Sequence, residues 1–254
     1  MSQKHINQSN ESYCTDKKGC FLLYDSELLR SPEASLLSRD ILKQADNYQL
    51  ITSGGRGQAW FVELGEISAV YRKYMRGGLV ARLNRQTYIS LSHENTRSIK
   101  EWRLLQWMFK QGLPVPRPVA ASICRYPFSY SPLYHAQILI ERLPDVETLD
   151  YILSQQEIED NVWQAVGQCI RRFHNAGVYH ADLNANNILL NAQSTVYLID
   201  FDKGELRDDQ PENALWKEEN LQRLKRSLVK QQSIHQQYYF NEDNWQQLLK
   251  AYAE

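Results

Sequence analysis

The sequence contains no hydrophobic run long enough to cross a bilayer, and residues 1–19 lack the apolar core of a secretory signal peptide. These two absences predict synthesis and residence in the cytosol. Neither sign of charge is in excess, since 29 Lys and Arg residues stand against 30 Asp and Glu residues. The balance gives no indication of a nucleic-acid partner, and we expect none.

Cysteine is scarce, and the four present (Cys14, Cys20, Cys124 and Cys169) include no closely spaced pair of the kind that binds zinc. In a cytosolic protein such cysteines are expected to be reduced thiols, so we predict neither a disulfide nor a cysteine metal site. The chain does have 254 residues, 43% of them hydrophobic. That is enough for a buried core in one or two domains.

The stretch that carries the clearest chemistry is 180–187, H-A-D-L-N-A-N-N, and two apolar runs come after it, the second ending at Asp200. An Asp, an Asn five positions later and a further Asp after the next strand form the pattern of a protein-kinase catalytic loop and its metal-binding D-F-G. In such a site one carboxylate addresses the substrate hydroxyl, while an amide oxygen and another carboxylate bind Mg²⁺ on the phosphates of ATP. We therefore predict Asp182 as the catalytic residue, and Asn187 and Asp200 as the Mg²⁺ ligands.

Three neighbours in this region have other roles in our interpretation. His180 is expected to brace the loop through backbone hydrogen bonds and not to act as the base. For Asn184, a hydrogen bond within the loop is favoured over contact with acceptor or phosphate. Asp202 stands where D-F-G has Gly, and the sequence leaves open whether it assists a second metal, faces solvent or pairs with Lys203.

A glycine cluster upstream, Gly54, Gly55 and Gly57, precedes a β-rich run. Glycines at such a turn let backbone N–H groups approach phosphates, and we predict that these three bind ATP. Taken alone, the cluster is a weak signal, and an ordinary hairpin turn is the favoured interpretation. It also departs from the kinase pattern G-x-G-x-x-G, because the last glycine is missing.

The strand predicted over 69–74 supplies a cation for the phosphates of ATP. Side chains alternate along a strand, so Val70 and Arg72 share one face. We predict Arg72 as the phosphate-binding cation, with Lys73 as the competitor, and the register of the strand decides between them. Glu101, on the following helix, would pair with that cation. Without the downstream motif, solvent-exposed charges would be the simpler explanation.

Hydrophobic periodicity and start and stop signals predict helices over 31–50, 98–108, 158–176, 214–230 and 241–252, with strands over 119–124 and 135–140. We divide the chain into a polar arm (1–20), an N-lobe (21–142) and a C-lobe (143–254). The predicted fold class is α+β, a bilobal protein-kinase-like fold with a small β-rich N-lobe, a helical C-lobe and ATP between them. Backbone groups of the hinge at 141–143 are expected to meet the adenine edge.

The segment after Asp200 bears on the nature of the acceptor. The sequence has neither a long activation segment nor an A-P-E motif, and Ala181 stands where many protein kinases have Arg. These departures favour a small-molecule or glycan acceptor, and we expect no protein substrate. The basic helix at 214–230 is either a solvated face or a contact with an anionic membrane surface.

The strings at 179–190 (Y-H-A-D-L-N-A-N-N-I-L-L) and 198–204 (L-I-D-F-D-K-G) closely resemble the 3-deoxy-D-manno-octulosonic acid (Kdo) kinase family of Gram-negative bacteria. Further likeness at 74–79 and 112–118 extends it over nearly the whole chain. The resemblance implies ATP-dependent phosphorylation of the 4-hydroxyl of Kdo on a lipid A precursor, in lipopolysaccharide core assembly. It also implies peripheral contact with the cytoplasmic face of the inner membrane.

Three rival functions stay open from the sequence. A lipopolysaccharide heptose kinase would use the same chemistry on another sugar, and a phosphotransferase of the antibiotic-kinase type would use a small molecule. A kinase-like binding module without catalysis is the alternative from a different class. Against the module, Asp182, Asn187 and Asp200 are all present.

Overall fold

The structure, a computed structural model, describes residues 10–37, 46–51, 58–75, 87–208 and 215–254. These residues form two compact units. The first comprises the described residues up to Trp107 together with Pro116–Arg142, and the second comprises Met108–Val115 and Leu143–Glu254.

The first unit is built on an eight-stranded sheet. Its strands are β1 (Glu11–Thr15), β2 (Cys20–Asp25), β3 (Asp46–Ile51), β4 (Gln58–Leu64), β5 (Ile67–Lys73), β6 (Tyr88–Ile89), β7 (Pro118–Arg125) and β8 (Leu133–Glu141). They are ordered β1-β2-β7-β8-β5-β4-β3, with β6 paired to β8, and every pair is antiparallel. The predicted strands at 119–124 and 135–140 are confirmed as the cores of β7 and β8.

Helix α1 (Arg97–Lys110) confirms the helix predicted over 98–108. The residues predicted to share its apolar face, Ile99, Trp102, Leu105 and Met108, are all buried. Their spacing of three residues places them on one side of an α-helix, and burial of that side holds the helix in place.

The segment after β2 corrects one prediction. Residues 34–37 form a turn, and Asp46–Ile51 is strand β3, so the helix predicted over 31–50 is wrong where the chain is described. Leu37 is buried in a core cluster that also contains Leu22, Val62 and Tyr71. Leu37 therefore covers the sheet from a turn and not from a helix. Hydrophobic spacing alone does not distinguish these two possibilities.

Two predictions about the N-terminal part are also overturned. Glu11–Thr15 forms β1 and pairs with β2, so the polar arm predicted over 1–20 is wrong for residues 11–20. Cys20 lies opposite Cys124 in the β2–β7 ladder, and the two form a disulfide, against our expectation of reduced thiols. Cross-strand register brought together two cysteines 104 residues apart, which spacing in the sequence does not reveal.

The second unit is mostly helical. Its elements are β9 (Val146–Thr148), α2 (Leu149–Gln155), α3 (Asp160–Asn175), β10 (Val178–Tyr179), a 3₁₀ helix (Ala185–Asn187), β11 (Ile188–Asn191), β12 (Val196–Leu198), β13 (Glu205–Leu206), α4 (Leu215–Ile234) and α5 (Glu242–Ala253). The strands form two small sheets, β12-β11-β9 and β10-β13. The helices predicted over 158–176, 214–230 and 241–252 are confirmed as α3, α4 and α5.

Helix α3 packs tightly against α5. A Cβ at Gly167 would lie 2.2 Å from the backbone oxygen of Leu248, so a side chain there would push the helices apart. At the end of α3, Gly177 has a φ of 73° and its N–H bonds the carbonyl of His174. This glycine ends the helix and turns the chain toward the candidate site.

Taken together, the described residues combine antiparallel sheets with α-helices in a mixed α/β protein. None of the described helices is both long and apolar enough to cross a membrane.

Candidate active site

The predicted catalytic stretch lies between two short strands of the second unit. After β10 the chain passes through residues 180–184, enters the 3₁₀ helix and continues as β11, which pairs with β12. The ladder joins Ile188 to Leu198, and beyond it the N–H of Ile199 donates to the carbonyl of Asn187 at 3.1 Å. Asn187 and Asp200 therefore stand at the adjoining ends of two paired strands.

His180 braces this loop through both ring nitrogens. Its Nδ1 accepts the backbone N–H of Asp182 at 3.1 Å, so Nε2 carries the proton and donates to the carbonyl of Ile199 at 2.9 Å. The ring is buried, and burial lowers the pKa of His180 despite the opposing influence of the Ile199 carbonyl and of Asp200. A neutral, fixed imidazole of this kind positions a loop and leaves the role of base to another group.

The backbone of Asp182 is held while its side chain faces solvent. The carbonyl of Asp182 accepts hydrogen bonds from the side-chain amides of Asn184 at 2.9 Å and Asn187 at 2.8 Å. The Asp182 side chain is 66% exposed, and one carboxylate oxygen lies 3.9 Å from a guanidinium nitrogen of Arg223. A carboxylate fixed at its backbone and open at its tip has the geometry needed to receive a substrate hydroxyl.

The donor set at Asn187 and Asp200 suits Mg²⁺. The Nδ2 of buried Asn187 is used on Asp182, which leaves its Oδ1 as the oxygen for a cation. Asp200 adds a carboxylate at a left-handed backbone position, with φ of 63°. Among the described residues no group of three or more His, Cys, Asp or Glu could hold a metal. Mg²⁺ is commonly bound by one or two protein oxygens of this kind, with phosphate oxygens and waters as its other ligands.

Phe201 fixes the chain directly after Asp200. Its ring is buried, stacks on Phe173 of α3 at 5.7 Å between centroids, and lies 4.6 Å from the His180 ring. One aromatic side chain thus connects the segment at Asp200, the His180 ring and the core of the unit.

In the first unit the structure brings Arg72 and Glu101 together. The guanidinium of Arg72 pairs with one carboxylate oxygen of Glu101, and the hydroxyl of Tyr74 donates to the other. The Glu101 side chain is only 3% exposed, whereas that of Arg72 is 20% exposed. Burial, together with the charge of Glu101, raises the pKa of Tyr74 well above its ordinary value, which keeps the hydroxyl a donor.

Lys73, the competing cation, lies on the other side of the strand. Alternation places it on the face of Tyr71, a buried core residue, and away from Arg72. Burial lowers the pKa of His135, and the nearby charge of Lys73 acts in the same direction. The contact with Glu101 therefore belongs to Arg72, while the binding of phosphate by either cation stays a prediction.

Two parts of the predicted nucleotide site have a different outcome. Gly54, Gly55 and Gly57 lie outside the described residues. At the predicted hinge, the N–H of Glu141 donates to the Arg117 carbonyl at 2.8 Å and that of Arg142 donates to the Ser68 carbonyl at 2.9 Å. These two N–H groups are committed to the sheet, so they are not the donors for an adenine edge.

Sequence reasoning missed the polar residues of α4 that support the loop. Asn220 is buried, and its side chain bonds both the N–H and the carbonyl of His180, at 3.2 and 3.1 Å. Ser227 accepts the backbone N–H of Ala185 at 3.3 Å. A signal existed, because Asn220 is a polar residue in helical register with Leu224 and Leu228 on the apolar face.

Comparison with known proteins gives a consistent set of similarities. Residues 43–252 match the family model described as the lipopolysaccharide kinase (Kdo/WaaP) family. A 3-deoxy-D-manno-octulosonic acid kinase of Xanthomonas euvesicatoria pv. vesicatoria (strain 85-10) is 44% identical over 210 residues, covering 82% of this chain and 80% of that protein. The enzyme of the same name from Xylella fastidiosa (strain M12) is 40% identical, covering 88% and 86%. That from Photobacterium damsela subsp. piscicida is 38% identical, covering 91% and 92%.

Proposed function

Because the chain belongs to the lipopolysaccharide kinase (Kdo/WaaP) family, we propose that it is a 3-deoxy-D-manno-octulosonic acid kinase of lipopolysaccharide core biosynthesis. The family resemblance predicted from the sequence is confirmed. In our proposal the enzyme transfers the terminal phosphoryl group of ATP to the 4-hydroxyl of Kdo on a lipid A precursor.

The observation that carries this proposal is the catalytic loop. Asp182 is presented to solvent on a backbone that His180, Asn184 and Asn187 hold by hydrogen bonds. The strand pairing after the loop brings Asn187 next to the segment that ends in Asp200. Catalysis of phosphoryl transfer depends mainly on such positioning and on charge stabilisation.

Asp182 acts on the acceptor hydroxyl. As the hydroxyl oxygen forms its bond to the terminal phosphorus of ATP, the bond from that phosphorus to the bridging oxygen of ADP breaks. The hydroxyl proton passes to the Asp182 carboxylate and leaves to solvent, and ADP carries away the electron pair of the broken bond. Neutral His180 takes no part in this proton transfer, because its only ring proton is held on Ile199.

ATP and Mg²⁺ are the proposed co-substrate and cofactor. Mg²⁺, when bound through Asn187 and Asp200, would neutralise charge on the phosphates. Arg72, fixed by Glu101, is the proposed cation for the α- and β-phosphates. The backbone of Gly54, Gly55 and Gly57 is the proposed phosphate loop.

The two compact units are the proposed N-lobe and C-lobe of a bilobal kinase fold. The sheet unit carries the Arg72–Glu101 pair, and the helical unit carries Asp182, Asn187 and Asp200. This assignment rests on family membership and on the distribution of predicted site residues between the units.

The proposed location is the cytoplasmic face of the inner membrane, with peripheral contact. A lipid-borne acceptor is held in a bilayer, so an enzyme that phosphorylates its sugar must work at that surface. The basic helix α4 is one candidate for the contact, since cationic helices favour anionic lipids.

The decisive experiment compares acceptors. Purified protein is incubated with labelled ATP, Mg²⁺ and either a Kdo-bearing or a heptose-bearing lipid A precursor, and label in the lipid product is measured. We expect transfer to the Kdo acceptor. Transfer to the heptose acceptor alone would replace this proposal with a heptose kinase.

Two variants separate catalysis from mere binding. Asp182→Asn should lower kcat by roughly 10²- to 10⁴-fold, the usual contribution of a catalytic acid–base group. Asp200→Asn should lose Mg²⁺-dependent turnover and keep the circular-dichroism spectrum of the wild type. If neither acceptor is phosphorylated and Asp182→Asn matches wild type in ATP binding and melting temperature, the protein is a binding module.

A further inference from the structure

Helix α4 presents three polar residues to the catalytic loop, at helical spacings of three and four. Asn220 and Ser227 are bonded to backbone groups of His180 and Ala185. Arg223 lies between them in the sequence, and its guanidinium is 3.9 Å from the Asp182 carboxylate. The helix thus braces the loop at two points and places a positive charge beside the catalytic carboxylate.

The contact between Arg223 and Asp182 leaves the guanidinium able to bind another anion. A separation of 3.9 Å is longer than a hydrogen bond, and both side chains are exposed, Arg223 by 44%. Such a pair contributes little to stability. By contrast, Lys225 on the same helix donates to Glu242 at 2.8 Å. Arginine also has the planar fork of donors that matches a carboxylate.

We propose that Arg223 binds the carboxylate of the acceptor sugar acid and so selects acidic over neutral sugars. The inference rests on the proposed function, in which the acceptor is an octulosonic acid. When its hydroxyl approaches Asp182, two negative carboxylates come close together, and a cation beside Asp182 offsets their repulsion. Arg223 is here a specificity residue, and Asp182 keeps the catalytic role.

The test uses a water-soluble, deacylated Kdo acceptor and the same acceptor with its carboxylate converted to the methyl ester. Wild type should prefer the free acid in kcat/KM. Arg223→Gln should raise the KM for the free acid by about tenfold or more, the effect of one lost charged hydrogen bond. It should leave the KM for ATP unchanged and abolish the preference over the ester.

Arg226→Gln is the matched control, because it removes the same charge from an exposed position on the same helix. It should behave as wild type with both acceptors. If Arg223→Gln instead lowers kcat and acceptor-independent ATP hydrolysis while the preference for the acid persists, the guanidinium acts on phosphate and the proposal is overturned. If Arg223→Gln and wild type have equal kinetics, the role of Arg223 is overturned and the proposed function stands. If wild type transfers no phosphoryl group to the Kdo acceptor, the proposed function is overturned as well.

A separate observation concerns the loop between β7 and β8 in the first unit. Tyr126, Phe128 and Tyr130 are exposed there, Tyr130 by 82%. The segment around β6 adds exposed Ile89 and Leu91, the latter 90% exposed. We refer to these five residues as the apolar rim.

Hydrogen bonds join the two backbone segments that carry the apolar rim. Arg125 donates to the carbonyls of Ser131 at 2.6 Å, Ser90 at 3.1 Å and Leu91 at 3.2 Å. The N–H of Ser90 also donates to the Pro132 carbonyl at 2.9 Å. The large side chains are therefore kept outward on an ordered support, although packing them inward would remove apolar surface from water.

Two lysines flank the rim. Lys17 and Lys18 are exposed on the β1–β2 turn, and the next residue, Gly19, packs so closely on Ser129 that a Cβ would lie 2.5 Å from its Cα. The carbonyl of Gly19 also accepts the N–H of Arg125 at 3.1 Å. Exposed aromatic and aliphatic side chains next to lysines suit the boundary of an anionic bilayer.

We infer that the apolar rim, with Lys17 and Lys18, docks the enzyme on an anionic lipid surface. Vesicle binding of the whole chain without ATP or acceptor tests this. Wild type should bind phosphatidylglycerol-rich vesicles and bind phosphatidylcholine vesicles more weakly, with binding falling as salt is raised. Phe128→Ser/Tyr130→Ser should weaken vesicle binding by about tenfold or more.

Tyr151→Ser, which removes an exposed aromatic from the second unit, is the control and should bind as wild type. Unchanged vesicle binding by the double variant overturns the docking surface, whatever the kinase assay shows. If vesicle binding is unchanged and the double variant instead dissociates an oligomer seen by sedimentation for wild type, the rim is a protein interface and the inference is wrong.

Discussion

At the scale of single residues, Glu101 is a buried carboxylate of the first unit that depends on its partners. Its side chain is nearly fully buried, and its carboxylate accepts hydrogen bonds from Arg72 and Tyr74. A buried charge tolerates the loss of its partner poorly, because the desolvation that the pair offset is then uncompensated. The position of Arg72 therefore depends on Glu101.

Glu101→Gln should release Arg72 from its position. We expect the KM for ATP to rise by about tenfold or more and the free energy of unfolding to fall by roughly 3 kcal/mol, as for a broken buried pair. Steady-state kinetics and urea unfolding measure the two effects. The control is Glu94→Gln, which removes a largely exposed carboxylate paired with Arg103. An unchanged KM for ATP in Glu101→Gln would remove the pair from the nucleotide site.

His180 gives a pH dependence with a defined sign. Its pKa is lowered in the folded protein, chiefly by burial, so between that value and the ordinary 6.5 the unfolded chain binds more protons. The stability that the folded protein keeps by holding His180 neutral is therefore fully present above pH 6.5, and it is lost as the pH falls below that value. Protonation also removes the acceptor that Nδ1 offers to the N–H of Asp182.

Urea unfolding at about pH 7.5 and 5.5 checks this sign. Wild type should lose more stability on acidification than His180→Gln, by at most about 1.4 kcal/mol, since pH 5.5 is one unit below the ordinary pKa. Groups that titrate in both proteins cancel in the comparison. If wild type and His180→Gln lose the same stability on acidification, protonation of His180 does not cause the loss.

At the scale of elements, helix α4 is a second support of the predicted catalytic loop. Asn220 satisfies two buried backbone groups of His180. Asn220→Ala leaves both without that partner, which should lower the free energy of unfolding by about 1–3 kcal/mol. Because the loop then shifts, kcat should fall by about tenfold or more.

Unfolding curves and kcat of Asn220→Ala are compared with those of Gln222→Ala. Gln222 is exposed on the same helix and bonds Glu218, so its loss should change neither quantity appreciably. A kcat for Asn220→Ala equal to that of wild type would contradict the supporting role of α4.

The elements also show what a sequence can and cannot predict. Helix α1 was predictable because its apolar residues recur every three positions, a local property. The turn at 34–37 and strand β3 were not, because the burial of Leu37 depends on strands outside its own segment, from Leu22 in β2 to Leu139 in β8. The motif around Asp182 was predictable from spacing, whereas the contribution of Asn220, 40 residues after His180, required the fold.

At the scale of the whole molecule, family membership was predictable from the strings around Asp182 and Asp200, since they combine a chemical pattern with a particular order of residues. The residues that set the acceptor are harder to predict. Arg223 belongs to a helix whose charges are indistinguishable in the sequence, and only its distance to Asp182 separates it from Arg226. The predicted catalytic residues can thus be identified from sequence spacing, whereas the proposed specificity residue can be identified only from its position in the folded protein.

The disulfide between Cys20 and Cys124 closes a long loop of the chain and makes a prediction for the intact protein. Under denaturing conditions without reductant, two thiols, Cys14 and Cys169, should react with a thiol reagent, and all four cysteines should react after reduction. Reduction should lower the free energy of unfolding by roughly 2–4 kcal/mol, because the unfolded chain gains freedom. The variant Cys20→Ser/Cys124→Ser should show no effect of reductant. Four reactive thiols before reduction would instead show that Cys20 and Cys124 stay reduced, as expected for a cytosolic protein.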